Sequence, residues 1–184
     1  QIYISEIESD GLGDLYNKYL LLKQKIESLG YFNTEIKKIL PSFIQNVAIV
    51  TSETGAALQD ILSIFKRHNF NANIYIKDCR VQGIDCKNTI VKAINELQNM
   101  ELDVILLSRG GGSLEDLWGF NEECVIEEIF KSKIPTISGV GHEVDYMLCD
   151  FVADMRSSTP SVSAEYIVDI NNRYISTLED YRFY

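Results

Sequence analysis

Arg109 stands directly before three consecutive glycines and Ser113, and this segment is well suited to binding an anion. Consecutive glycines let the backbone approach a ligand closely and expose amide donors. A guanidinium beside them suits a phosphate, or the charge that develops on a phosphorane, because it offers paired donors and stays protonated. The alternative is a turn of glycines followed by a surface arginine, and the spacing alone does not separate the two.

Ser113 is also placed to begin a helix, with Asp116 in the reciprocal position of a capping box. A helix that starts directly after the glycines would favour an anion at its N-terminus. The segment matches neither the dinucleotide-binding glycine motif nor the P-loop, since no Lys-Ser or Lys-Thr pair follows it.

His142 is the second residue type that could do chemistry, and it stands three positions before Asp145. A histidine with a carboxylate neighbour could act as a general base or as a ligand. The alternative is a loop imidazole that backbone groups satisfy. The other histidine, His68, falls at the predicted end of a helix, where interaction with the helix dipole accounts for it.

Asp60 lies at the edge of the apolar face of a predicted helix, within two turns of the end of a strand. The pattern alone favours a solvated helix carboxylate over a site residue.

Short β-branched segments alternate with amphipathic helices from residue 47 onward. Strands are predicted at 47–51, 73–76, 104–108 and 134–138, and helices at about 56–68, 87–98 and 113–131, the last interrupted near Gly119. This alternation predicts a doubly wound, Rossmann-like α/β fold with a parallel sheet of about four strands and helices on both faces. Ligands of such folds bind beyond the carboxyl ends of the strands, where these candidate residues lie. Upstream, a short strand is predicted at 1–8 and a helix at 15–29 with Gly30 as its C-terminal cap.

The composition is that of a globular domain, with 46% hydrophobic and 24% charged residues. Taken over the whole chain, the net charge of -10 disfavours a surface that binds a polyanion. Most of the excess negative charge is in residues 101–150, however, which contain 11 Asp and Glu against 3 Lys and Arg. No apolar run approaches the length of a membrane helix. Four cysteines without metal-binding spacing indicate reduced packing thiols and a cytoplasmic location. Because the chain opens on Gln1, we expect a fragment of a longer protein.

Five motifs in order resemble one family, the large subunit of bacterial exodeoxyribonuclease VII. They are Thr51-Ser52-x-Thr54-Gly55 with Asp60-Ile61-Leu62, Val81-Gln82-Gly83, Arg109-Gly110-Gly111-Gly112-Ser113, Val140-Gly141-His142-Glu143-x-Asp145 and Asp150-Phe151-Val152-Ala153-Asp154-x-Arg156. The resemblance implies an exonuclease that hydrolyses single-stranded DNA from both the 5′ and the 3′ ends and releases oligonucleotides. Without the resemblance, a noncatalytic nucleotide- or phosphate-binding α/β module is the alternative.

Carried over by motif, the catalytic residues implied are Asp60, Arg109, His142 and Asp145. His142 would activate water, Asp145 or Asp60 would orient the imidazole or hold Mg²⁺, and Arg109 would stabilise the phosphorane. Whether Mg²⁺ is required stays open at this point. Phosphate or DNA contacts are expected from Gly110, Gly111, Gly112, Ser113 and Arg156.

The resemblance also implies how the chain is divided. Residues 1–45 would be the end of an upstream OB-fold with a linker helix, 46–168 the catalytic α/β domain, and 169–184 the start of a C-terminal helical region. That helical region would bind the small subunits of the enzyme. We expect this acidic domain to bind DNA weakly by itself, with the OB-fold supplying much of the affinity.

Overall fold

The computed structural model describes residues 11–140 and 146–182. Within them lies a sheet of five strands, all paired in parallel, in the order β2-β1-β3-β4-β5. The strands are β1 (Asn46–Thr51), β2 (Asn73–Asp78), β3 (Val104–Arg109), β4 (Thr136–Val140) and β5 (Met155–Arg156). The predicted doubly wound class is confirmed.

Helices cover both faces of this sheet. They are α1 (Gly11–Ser28), α2 (Ala56–Arg67), α3 (Cys86–Leu97), α4 (Leu114–Leu117), α5 (Glu123–Lys131), α6 (Leu148–Val152) and α7 (Pro160–Arg182). Side chains of α2 and α7 pack on one face, and those of α1, α3, α5 and α6 pack on the other.

The central strands are buried on both faces, which explains their near-continuous apolar sequence. Val47 and Ile49 of β1 point toward α2 and α7, whereas Ala48 and Val50 point to the opposite face. This is the two-residue alternation of a strand, with both sets of side chains removed from water. Each large side chain buried in this way contributes roughly 1.5 to 3 kcal/mol to folding.

Two strands differ from the prediction. β5 was not predicted, because two residues are too few to carry a periodic signal. β4 begins at Thr136, two residues later than predicted. The reason is that Pro135 has no amide hydrogen to donate to the neighbouring strand. Its carbonyl still accepts a hydrogen bond from the Ile105 amide. The strand then continues through Gly139. A Cβ at that position would overlap Ser163 Oγ at the start of α7.

The predicted helix 113–131 is interrupted, as expected, around Gly119. Its residues form α4, a 3-10 turn at Trp118–Asn121, and α5. Gly119 packs against Cys86 so closely that a Cβ would overlap the sulfur atom. The break at Gly119 therefore lets the turn between α4 and α5 pack closely against α3.

The segment before β1 is packed onto the α/β core. Ile26 of α1 is fully buried. The helix ends at Ser28, and Gly30, with a φ of 78°, forms the predicted cap beyond it. Lys37 donates to the carbonyls of Phe151 and Ala153 at 2.9 and 2.8 Å. The strand predicted at 1–8 lies outside the described residues.

Candidate active site

The carboxyl ends of β1, β3, β4 and β5 lie side by side at one edge of the sheet, because all of these strands are parallel. The chain leaves β1 for α2 on one face and leaves β3 for α4 and α5 on the other. Connections that diverge in this way leave a crevice between the two strands, the usual ligand position in this fold class. The glycine segment and the segment 51–55 both border that crevice.

Arg109, the last residue of β3, is folded back into the glycine segment. Its Nη1 donates to the carbonyls of Gly110 and Gly111 at 3.0 and 2.5 Å, and its Nη2 donates to Gln82 Oε1 at 3.0 Å. The residue is only 7% exposed, which excludes the surface arginine considered as the alternative. A Cβ on Gly112 would overlap the guanidinium. The Arg109 side chain therefore lies inside the loop and holds the carbonyls of Gly110 and Gly111.

Ser113 forms the predicted capping box with Asp116. Its Oγ accepts from the Asp116 amide at 3.3 Å, and its own amide donates to the Asp116 carboxylate at 3.3 Å. The helix that follows is only four residues long. A single turn has a small dipole, so the loop amides and the guanidinium carry most of this segment's potential to bind an anion.

Asp60 is exposed on α2, about 6 Å along the axis from the first residue of that helix. Since α2 packs with α7, Asp60 belongs to that face of the sheet. Arg109 shares the opposite face with Leu107, two residues before it in the strand. A phosphodiester contacting both side chains would have to lie across the edge of the sheet. His142 and Asp145 lie outside the described residues.

Arg156 of β5 lies in a cluster with Tyr146 and Asp150. Its guanidinium carbon is 3.7 Å from the centroid of the Tyr146 ring, and its Nε is 3.6 Å from Asp150 Oδ2. Stacking on an aromatic face holds a guanidinium flat. Sequence patterns carry no signal for Tyr146, because a single tyrosine in a loop has no periodicity to identify it.

The side chains of Asp150 and Asp154 are both removed from solvent. Asp150 accepts from Ser138 Oγ at 2.5 Å and from the Met147 amide at 2.9 Å. Burial raises the pKa of Asp150, and these hydrogen bonds and the charge of Arg156 offset part of that rise.

Hydroxyl groups at the start of α7 have structural partners. Thr159 Oγ1 accepts from the Val162 amide at 3.2 Å and so caps the helix. Ser157 and Ser163 are hydrogen-bonded to each other against Gly139. Ser108 Oγ, on the same face at the end of β3, is buried and has no hydrogen-bond partner among residues 11–140 and 146–182.

The three buried thiols, Cys79, Cys86 and Cys149, are not candidates for nucleophilic chemistry. All four are free, and burial raises the pKa of Cys79 to about 12 and that of Cys86 to about 11. For Cys86 the nearby Arg109 charge opposes burial without overcoming it. Such thiols stay protonated at neutral pH and act as packing groups.

No metal cluster is evident among residues 11–140 and 146–182, where no three His, Cys, Asp or Glu side chains could together hold a metal ion. Of the two predicted magnesium ligands, only Asp60 falls within these ranges. Among the helices of the same ranges, none is long and apolar enough to cross a bilayer.

Comparison with known proteins gives consistent matches along the chain. The family described as "Exonuclease VII, large subunit" matches residues 31–183. The exodeoxyribonuclease 7 large subunit of Clostridium tetani is 46% identical over 183 residues, which cover 99% of this chain and 46% of that protein. The corresponding protein of Nitratiruptor sp. is 48% identical over 168 residues, covering 91% of this chain and 40% of that protein. The chain therefore spans less than half the length of these relatives.

Proposed function

The chain belongs to the exonuclease VII large-subunit family, and from this premise we propose that it hydrolyses phosphodiester bonds of single-stranded DNA. The enzyme would work from both the 5′ and the 3′ ends and release oligonucleotides. The observation that carries the proposal is the family match over residues 31–183. No observation favours the noncatalytic phosphate-binding module over a nuclease.

The glycine segment and Arg109 form the phosphate-binding part of the proposed site. Arg109 has five N–H groups on three nitrogens, and two of these nitrogens, Nη1 and Nη2, make the three contacts to the loop and to Gln82. Its charge lies at the switch point of the sheet and would stabilise the phosphorane, together with amides from Gly110 to Ser113. Arg156, held flat on Tyr146, would contact a second phosphate of the strand.

His142 is the proposed general base that activates water, and Asp145 or Asp60 would orient its imidazole. Asp60 and Asp145 are also the residues that would hold Mg²⁺, since carboxylate oxygens are its preferred ligands. A bound Mg²⁺ would neutralise charge on the phosphate. Loss of activity in EDTA with recovery on adding Mg²⁺ would support a metal site. Full activity in EDTA would leave orientation of the imidazole as the role of the two carboxylates.

The rest of the enzyme would supply most of the affinity for DNA. The chain has a net charge of -10, and binding to a polyanion depends on phosphate neutralisation by Lys and Arg. We assign residues 1–45 to the end of an OB-fold and linker helix, 46–168 to the catalytic domain, and 169–184 to the start of a helical region that binds small subunits. A cytoplasmic location fits three buried, unpaired thiols.

The test is degradation of a single-stranded oligonucleotide by the full-length large subunit assembled with small subunits. His142→Ala should lower kcat by about 10²- to 10⁴-fold, and Arg109→Ala by about 10²- to 10³-fold. Matched controls are His68→Ala, at the exposed end of α2, and Arg80→Ala, whose guanidinium pairs with Asp85 at the surface. Near-normal rates for both site variants would refute the assignment.

A further inference from the structure

One buried carboxylate contacts both flanks of the segment that contains His142 and Asp145. On the upstream side, Asp150 Oδ1 accepts from Ser138 Oγ at 2.5 Å, and Ser138 is two residues before the end of β4. On the downstream side, its Oδ2 accepts from the amide of Met147 at 2.9 Å. The same side chain therefore holds Ser138 and Met147, which lie on either side of residues 141–145 in the sequence.

The same carboxylate also sets the position of Arg156. The Nε of Arg156 lies 3.6 Å from Asp150 Oδ2, and the guanidinium stacks on Tyr146, which directly follows the segment. The Asp150 side chain is fully removed from solvent, and that of Arg156 is 20% exposed. The ion pair thus has a fully buried acidic partner and a partly exposed basic partner.

Packing alone does not require a charge at this position. A buried carboxylate has a large desolvation cost, and a neutral or apolar group of similar volume is often as stable or more stable. What a carboxylate offers is acceptor capacity on two oxygens, and Asp150 uses it for a hydroxyl, an amide and a guanidinium. An asparagine at position 150 would have only one acceptor oxygen. Its amide nitrogen, itself a donor, would face one of the donors that Asp150 now accepts from.

We infer that Asp150 is a positioning residue of the nuclease, which aligns the segment 141–145 with Arg156 by holding Ser138, Met147 and the guanidinium on one carboxylate. This inference rests on the proposed function, because it assumes that His142 and Arg156 act on the same DNA strand. Asp150 touches neither the substrate nor the reacting atoms. Its effect is exerted through the residues that it holds.

The main test is Asp150→Asn in the full-length large subunit assembled with small subunits, with a single-stranded oligonucleotide as substrate. Displacement of catalytic groups by about 1 Å costs about 10²-fold in rate, so kcat should fall by roughly 10- to 100-fold. KM should rise several-fold as well, because Arg156 loses its aligned partner. A loss of folded enzyme would lower the apparent kcat but leave KM unchanged.

Asp154→Asn is the matched control. Asp154 is also buried, four residues further along, and accepts from the Thr136 amide at 2.7 Å. That contact holds the first residue of β4, at the end of the strand far from the segment 141–145. Asp154→Asn should lower the thermal stability and leave kcat and KM of the folded enzyme unchanged.

Ser138→Ala provides an independent variant of the same contact. It removes one of the three groups held by Asp150 and should lower kcat by a smaller factor. Combined with Asp150→Asn, it should add little, because both changes disrupt one arrangement.

Unchanged kcat and KM in folded Asp150→Asn, or equal shifts in Asp154→Asn, would overturn the inference. So would full additivity of the two changes in the double variant. If Asp150→Asn does not fold, Ser138→Ala decides: a several-fold loss of kcat at near-normal stability supports the positioning role, and wild-type constants overturn it. Failure of the wild-type assembly to digest single-stranded DNA would instead refute the proposed function.

Discussion

Replacing Gly112 with alanine should displace the Arg109 guanidinium from its position in the loop, although Arg109 itself is unchanged. The added Cβ would overlap the guanidinium, which must leave its place between the carbonyls of Gly110 and Gly111 and the side-chain oxygen of Gln82. Each of these three hydrogen bonds contributes on the order of 1 kcal/mol net. Because Gly111 and Gly112 are exposed, water would replace part of the loss, and stability should fall by about 1 to 2 kcal/mol.

The expected loss of activity is much larger than the loss of stability. Removal of a donor that stabilises developing charge costs about 10²- to 10³-fold in kcat, so Gly112→Ala should approach the rate of Arg109→Ala. The comparison variant is Gly110→Ala, where a Cβ would meet nothing within 4 Å and the guanidinium can stay in place. The assay is single-turnover cleavage of an end-labelled oligonucleotide by the assembled enzyme. Equal rates for Gly112→Ala and Gly110→Ala would refute the idea that the overlap displaces Arg109.

Three further predictions concern stability. Gly139→Ala should lower the free energy of unfolding by about 1 to 3 kcal/mol through overlap with Ser163, as urea denaturation would measure; an unchanged midpoint would contradict the close packing. Ile26→Ala should cost about 2 to 5 kcal/mol, whereas Leu21→Ala, at a residue 68% exposed, should cost almost nothing; equal effects would mean that α1 is not part of the core. Since burial raises the pKa of Asp150 in the folded state, its contribution to stability is greatest below the ordinary carboxyl pKa and declines as pH rises through the raised one. The difference in unfolding free energy between wild type and Asp150→Asn should therefore fall across that interval, and a flat or rising difference would contradict the assigned direction.

Much of the architecture could be predicted because it depends on local pattern. β1 and β3 are apolar on both faces, so their position in a parallel sheet follows from short apolar runs separated by amphipathic helices. The cap at Gly30 could be predicted for the same reason, since it depends on a few consecutive residues. β5 could not, because its two residues are ordered by pairing with β4 rather than by their own propensity.

The candidate site divides in the same way. The glycine segment, Arg109 and the capping box at Ser113 are contiguous in sequence, and their types and spacing indicated a candidate anion-binding loop, with a glycine turn and a surface arginine as the alternative. The roles of Asp60, His142 and Asp145 came from resemblance to the exonuclease VII family, and they stay predictions. Ser113 illustrates the limit of local pattern: its capping box formed as expected, but the helix it begins lasts one turn.

By itself, the sequence determined the fold class and the family of the protein and indicated the edge of the sheet where we propose the chemistry, because these depend on periodicity and on contiguous motifs. Only the tertiary structure decided that Arg109 is buried inside its own loop, and that Asp150 joins Ser138, Met147 and Arg156. The contact between Asp150 and Ser138 spans 12 positions of the chain and that between Arg109 and Gln82 spans 27, so local pattern cannot reveal them. A sequence does not distinguish a buried aspartate from an exposed one. Only the packing around each side chain shows which of them is removed from water.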